Sequence, residues 1–276
     1  MARRHLIALL LLLVPTAPAT WAESPNLPES CRRSVRQEKP KMTEQNASQF
    51  RRTLHEHTAA SLEICKHALQ QVDSDDLTLE AELTALAAQA EIRLARWARD
   101  HDEALKIARR AATVVSNLDP RPSLASIELT EALANLEIRF GKGPKETARL
   151  FDLALLQRQD LFGPNHPETA KGHSRLGNFY KPSETLTGES APWEDGSLAE
   201  HHYVEAMRIH LAAETLDRDA MQDLLLDLSS LFRDRGETEK GDRYLDMAMN
   251  GFSELEVAEL APQTEEETEE ETPPDV

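Results

Sequence analysis

Cysteine is nearly missing from this chain: Cys31 and Cys65 are the two present in 276 residues. A disulfide framework is therefore excluded, and a single bridge is the most that these residues can supply. Aromatic side chains are sparse, with three Trp, three Tyr and seven Phe, and no alternating β-branched run is long enough for a pair of strands. Cations are also short, 31 Lys and Arg against 49 Asp and Glu, a net charge of −18. That balance argues against nucleic acid and anionic lipid as partners, because phosphate contacts require clustered Lys and Arg. Nor is there an apolar run of membrane-spanning length: the longest, Leu6 to Val14, has nine residues, where a bilayer needs roughly 20. What fills the middle of the chain is Ala, Leu, Glu and Arg, the composition of helices. The fold class expected is all-α.

At the N-terminus Arg3 and Arg4 precede that apolar run, and Pro15, Pro18 and Thr20-Trp21-Ala22 follow it. This order predicts a secretory signal peptide over residues 1–22, cleaved after Ala22, with Ala19 as a second acceptable site. Export to the periplasm or the extracellular space follows, without stable membrane insertion. In an oxidising compartment a Cys31–Cys65 disulfide is expected to fasten a Pro-rich leader, residues 23–42, to a helix. The alternative, that Cys65 is a small buried apolar residue, stays open. At the other end, Glu265 to Glu267 and Glu269 to Glu271 stand in a segment, 256–276, with no apolar period, and an acidic disordered tail is expected there.

Between these termini, residues 43–255 read as a helical repeat domain. The clearest stretch is Leu161-Phe162-Gly163-Pro164-Asn165-His166-Pro167-Glu168-Thr169-Ala170. Gly163-Pro164 ends one helix, and Pro167 has the fixed φ of a first helical position, with Asn165 or His166 as its cap. Leu176, Gly177 and Tyr180 then recur at helical spacing. Four hairpins align on the small residue at the start of each second helix, Ala104, Ala148, Ala199 and Gly241, at intervals of 44, 51 and 42 residues. Small residues suit these places because closely crossing helices leave no room for more. The long interval has a visible cause: Tyr180 and Ala199 are 19 residues apart, whereas Phe232 and Gly241 are nine apart. An insertion therefore lies within 181–197, where Pro182, Gly188, Pro192 and Gly196 prevent a continuous helix. Gln49 to Val72 is amphipathic and reads as a capping helix or a degenerate half-repeat. The architecture expected is an α-solenoid of about four antiparallel hairpins.

The joint at 161–170 resembles that of tetratricopeptide repeats of the kinesin-light-chain type, which carry Gly-Pro, then His-Pro, an acidic residue and Thr-Ala, followed by a Leu, a small residue and a Tyr. The resemblance covers roughly Leu77 to Leu255 and is carried most fully by the last two hairpins. In the second, Glu137 stands where the family has a small residue. The resemblance implies a protein-binding module whose first helices line a concave groove. Peptide-binding members present an Asn where this chain has Ser174, and Asn178, one turn on, is the substitute.

With Leu176 and Tyr180 assigned to the core, helical spacing sends Lys171, Ser174 and Asn178 to the groove. The matching positions are Asp223, Leu226 and Ser230 on the fourth hairpin, and Glu131, Ala134 and Ile138 on the second. Trp193, beside Pro192 in the insertion, is a further candidate contact for a partner. Neither His55 and His57 nor His201 and His202 can share one ion, because helix neighbours at i+2 or i+1 point to different faces. No metal and no cofactor is expected. Ser183, Ser190, Glu184, Glu189, Glu194 and Asp195 cluster in the insertion without matching a catalytic arrangement, so the chain is not expected to be an enzyme. The function expected is that of an exported adaptor or scaffold for a protein or peptide, with an acidic surface that favours a basic partner. The alternatives are a self-assembling, homo-oligomeric envelope protein and an enzyme with its site in the 181–197 loop.

Overall fold

The computed structural model describes residues 47–73, 75–141, 143–181, 196–253 and 257. The signal peptide, the leader with Cys31, most of the insertion with Trp193, and the acidic tail lie outside the described residues. Nine helices and no strand are found among those described: α1 (Ala47–Leu69), α2 (Leu77–Trp97), α3 (His101–Leu118), α4 (Leu124–Phe140), α5 (Pro144–Phe162), α6 (Pro167–Tyr180), α7 (Ser197–Ala212), α8 (Arg218–Asp234) and α9 (Thr238–Asn250).

Five helices, α2, α3, α4, α6 and α8, start where the sequence supplies a side-chain cap, whereas α5, α7 and α9 follow Gly143, Gly196 and Glu237 without one. Asp76, Asp100 and Asp217 each accept a hydrogen bond from a backbone N–H in the first turn, and Ser123 forms a reciprocal capping box with Ser126. At the repeat joint His166, not Asn165, is the cap: its Nδ1 accepts from the N–H of Glu168 at 3.1 Å, and Pro167 takes the first helical position. Gly163, at φ 94°, and Gly236, at φ 82°, carry the chain out of α5 and α8 through the left-handed half of φ space, which side chains resist.

Successive helices pack in pairs, α2 with α3, α4 with α5, α6 with α7 and α8 with α9, and α1 covers the outer side of α2. These four hairpins and their cap coincide with the repeats expected from spacing. Cys65 is buried on α1, in the hydrophobic core. The fourth hairpin packs as its period predicts, with Leu228, Leu231, Phe232 and Tyr244 fully buried. Met249, in the last turn of α9, is 68% exposed.

Ala104, Ala199 and Gly241 are buried at the crossings as expected, but on the second hairpin Ala148 is half-buried and Thr147, one residue earlier, takes the fully buried place. A Cβ on Gly241 would lie 2.9 Å from the Ser229 carbonyl oxygen, and one on Gly177 2.5 Å from the Tyr203 ring. At Glu137 the departure from the repeat pattern has an ionic explanation. Its carboxylate is 2% exposed and receives Arg109 of α3 through two bonds of 2.6 and 2.8 Å.

Candidate functional site

Polar side chains join successive first helices: Gln89 of α2 donates to the Ala125 carbonyl of α4 at 2.8 Å, Arg175 of α6 lies 2.8 Å from Glu131 of α4, and Asn178 of α6 reaches Asp227 of α8. On α6, Lys171 and Asn178 are exposed and Ser174 is half-buried, the edge expected to face the groove. Facing them on α8, Asp223 and Leu226 are exposed, whereas Asp227 and Ser230 are half-buried.

Each candidate residue on α6 already has a neighbour. The Lys171 ammonium lies 2.6 Å from Glu168 Oε1, one turn back on α6. Among the described residues Ser174 donates only to its own helix, at the Ala170 carbonyl, 3.1 Å away. Asn178 is wired on both sides: it accepts from the Tyr203 hydroxyl at 2.9 Å and donates to Asp227 Oδ2 at 3.3 Å. Three helices, α6, α7 and α8, meet at this one amide. One turn further on, Lys181 donates to the Ser230 hydroxyl at 2.6 Å. Burial pushes the Asp227 carboxyl above its ordinary value, against the opposing Asn178 bond and the nearby Lys181 charge. Burial first, and then the negative Asp227, raises the Tyr203 phenol, which stays a hydrogen-bond donor at every physiological pH.

On the second hairpin the groove assignment fails. Glu131 and Ala134, expected on the open side, are 3% and 0% exposed. Ala85, Ala87, Ala88 and Ala90 are buried on α2, which packs against α4. Glu131 is held by Arg158 of α5, the largest fully buried side chain among those described. Arg158 Nε and Nη2 donate to Glu131 Oε1 at 3.1 and 3.0 Å, and Nη1 donates to Glu168 Oε2 of α6 at 2.6 Å. Arg175 Nε lies 2.8 Å from Glu131 Oε2 but without hydrogen-bond alignment. Burial alone would raise the Glu168 carboxyl, but Lys171 and Arg158 together hold it below the ordinary glutamate range. This network joins the second hairpin to the third. Spacing could not find it: Arg158 is separated from Glu131 by 27 residues, on a helix whose other buried positions are mostly apolar.

A second cluster lies inside the third hairpin. Nδ1 of His173 on α6 and Nδ1 of His202 on α7 are 3.1 Å apart, and the Tyr180 ring stacks on His202 at 5.6 Å between centroids. Burial first, then the neighbouring His173 and His201, holds His202 down to about 4. Burial likewise depresses His173, with Glu205 opposing. The local argument that keeps His201 and His202 from acting together is sound for one helix. The partner of His202 comes from the other helix of the hairpin.

His210, farther along α7, is 3% exposed, and its Nδ1 has no hydrogen-bond partner among the described residues. Burial first, and Lys171 less strongly, hold it below the ordinary value of 6.5 against the pull of Asp217. A depressed native pKa means that the unfolded chain takes up the proton more readily. Its contribution to stability is therefore complete above about pH 6.5 and declines as pH falls below that value. His210→Phe is expected to flatten the fall in urea midpoint between about pH 7 and pH 5. An unchanged slope would assign the acid sensitivity to other groups.

No protein-family profile and no curated sequence matches the chain. Among solved structures, BtubC (BKLC) from P. vanneervenii, a kinesin-light-chain-like protein, superposes with a TM-score of 0.54 at 18% identity, covering 73% of this chain and 75% of that one. At that identity the likeness concerns the fold, a kinesin-light-chain-like array of helical hairpins. The chain is built on a helical-repeat scaffold.

Proposed function

We propose that this chain is an exported, non-enzymatic scaffold that holds a protein or peptide partner along the shared face of its first helices, centred on α6 and α8. The observation that carries the reading is the seam between those helices. Lys171, Ser174 and Asn178 stand on one edge, Asp223 and Leu226 on the other, over helices fixed by fully buried cores. In arrays of stacked hairpins this is the concave side. Leu226, 37% exposed, offers an apolar anchor, and the lysine and hydroxyl beside it orient a bound backbone. The net charge of −18 steers a basic partner, so association should slow as salt is raised. Export is supported by Arg3, Arg4 and the apolar run after them, and by the one pair of cysteines available for a disulfide.

Among the described residues no helix is long and apolar enough to cross a membrane. The test is a photoreactive residue at Ser174, which among the described residues bonds only within its own helix, with a second at Trp193. Crosslinking in native extract should trap one dominant foreign protein at Ser174. Capture at Trp193 alone moves the site to the insertion, and capture of the chain itself alone replaces the scaffold with self-assembly.

A further inference from the structure

We propose that His173 and His202 together bind a divalent cation of the Zn2+, Ni2+ and Cu2+ class through their two Nδ1 atoms. The separation of those atoms carries the argument. Imidazole nitrogens sit 2.0–2.1 Å from zinc, so two of them on one tetrahedral ion are about 3.3 Å apart. The observed distance is 3.1 Å, between rings on different helices. As a plain hydrogen bond the same contact demands opposite tautomers, one proton on Nδ1 and the other on Nε2. A cation accepts both lone pairs and removes that demand.

The surroundings fit the assignment. His173 is 9% exposed and His202 half-buried, so an ion between them would lie within the packed hairpin. Tyr180 stacks flat on His202, with 7° between the planes, and fixes the orientation of that ring. Glu205, one turn along α7 from His202, places its negative charge toward His173, although Arg208 Nε holds that carboxylate at 3.0 Å. No cluster of three or more His, Cys, Asp and Glu is found among the described residues. The site therefore offers two protein ligands, with water completing the coordination. Such a donor set suits cations that favour imidazole over the oxygen-seeking Mg2+ and Ca2+. Because the ligands come from α6 and α7, a bound ion would pin the two helices of the third hairpin together.

Calorimetric titration of the full chain with ZnCl2 near neutral pH, with MgCl2 as control, tests this. One equivalent of Zn2+ should bind with micromolar affinity, raise the melting temperature, and leave Mg2+ without effect. His173→Gln and His202→Gln should each lose that equivalent while keeping the helical circular dichroism of the parent. His57→Gln, exposed on α1, should retain it. Long-range 1H–15N spectra of the unmodified chain give a readout independent of any variant: Zn2+ must shift two histidine Nδ1 resonances together. Absence of Zn2+ uptake, uptake that survives both single substitutions, or spectra in which those two resonances do not move would each overturn the assignment.

Discussion

Arg158→Met is expected to destabilise the chain by about 3–5 kcal/mol, the loss typical of removing one partner from a buried ion pair. The guanidinium is 1% exposed and bonded to both Glu131 and Glu168, which are 3% and 8% exposed. Without it Glu131 and Glu168 lose their buried cation and keep only the half-exposed ones at the rim, Arg175 and Lys171. Each of these already holds the outer oxygen of its carboxylate, so neither replaces the bonds that Arg158 makes to Glu131 Oε1 and Glu168 Oε2. The network as a whole is a different matter. Apolar residues of similar volume at all three positions, Glu131→Leu, Arg158→Met and Glu168→Leu together, should recover most of the loss, because desolvating three charges offsets much of their attraction. Urea midpoints of the single and triple variants decide it. A loss below about 1 kcal/mol in the single variant would mean that water enters the joint. The same comparison bears on function: with the network broken, amide exchange should speed up at the start of α6, the helix that carries Lys171, Ser174 and Asn178.

Gly177→Ala should be destabilising, although the same change in an open helix is stabilising. Alanine is better than glycine in a helix interior by about 1 kcal/mol. Here the new methyl would lie 2.5 Å from Cδ1 and Cε1 of Tyr203. That ring is fully buried and its hydroxyl is fixed on Asn178 at 2.9 Å, so it has nowhere to retreat. Overpacking of this kind costs about 1–3 kcal/mol, enough to outweigh the propensity gain. The decisive experiment is a double-mutant cycle. In a Tyr203→Leu background, where the ring is gone, Gly177→Ala should lose its penalty or turn stabilising, giving a coupling energy of about 1 kcal/mol or more. Equal effects of Gly177→Ala in both backgrounds would show that the α6–α7 crossing is looser than the geometry implies.

The sequence by itself determined the architecture of the described region. Proline and glycine at the joints, and small residues at Ala104, Ala199 and Gly241, act within a turn or two of chain, so spacing alone reads them. The exposed edge at Lys171, Ser174 and Asn178 was legible for the same reason, since it follows from the period of the apolar face. What the tertiary structure alone decided are the contacts between residues distant in the chain. Periodicity put Glu131 and Ala134 in the groove, yet both are buried, and an arginine on α5 holds Glu131. It reserved Asn178 for a ligand, yet Tyr203 and Asp227 occupy both ends of its amide. It separated His201 from His202 and had no means of placing His173 against the latter. A repeat pattern records which side of a helix meets apolar neighbours. The charged, amide and imidazole groups that meet across a joint depend on how far two helices approach and at what angle, and that is fixed only when the hairpins stack.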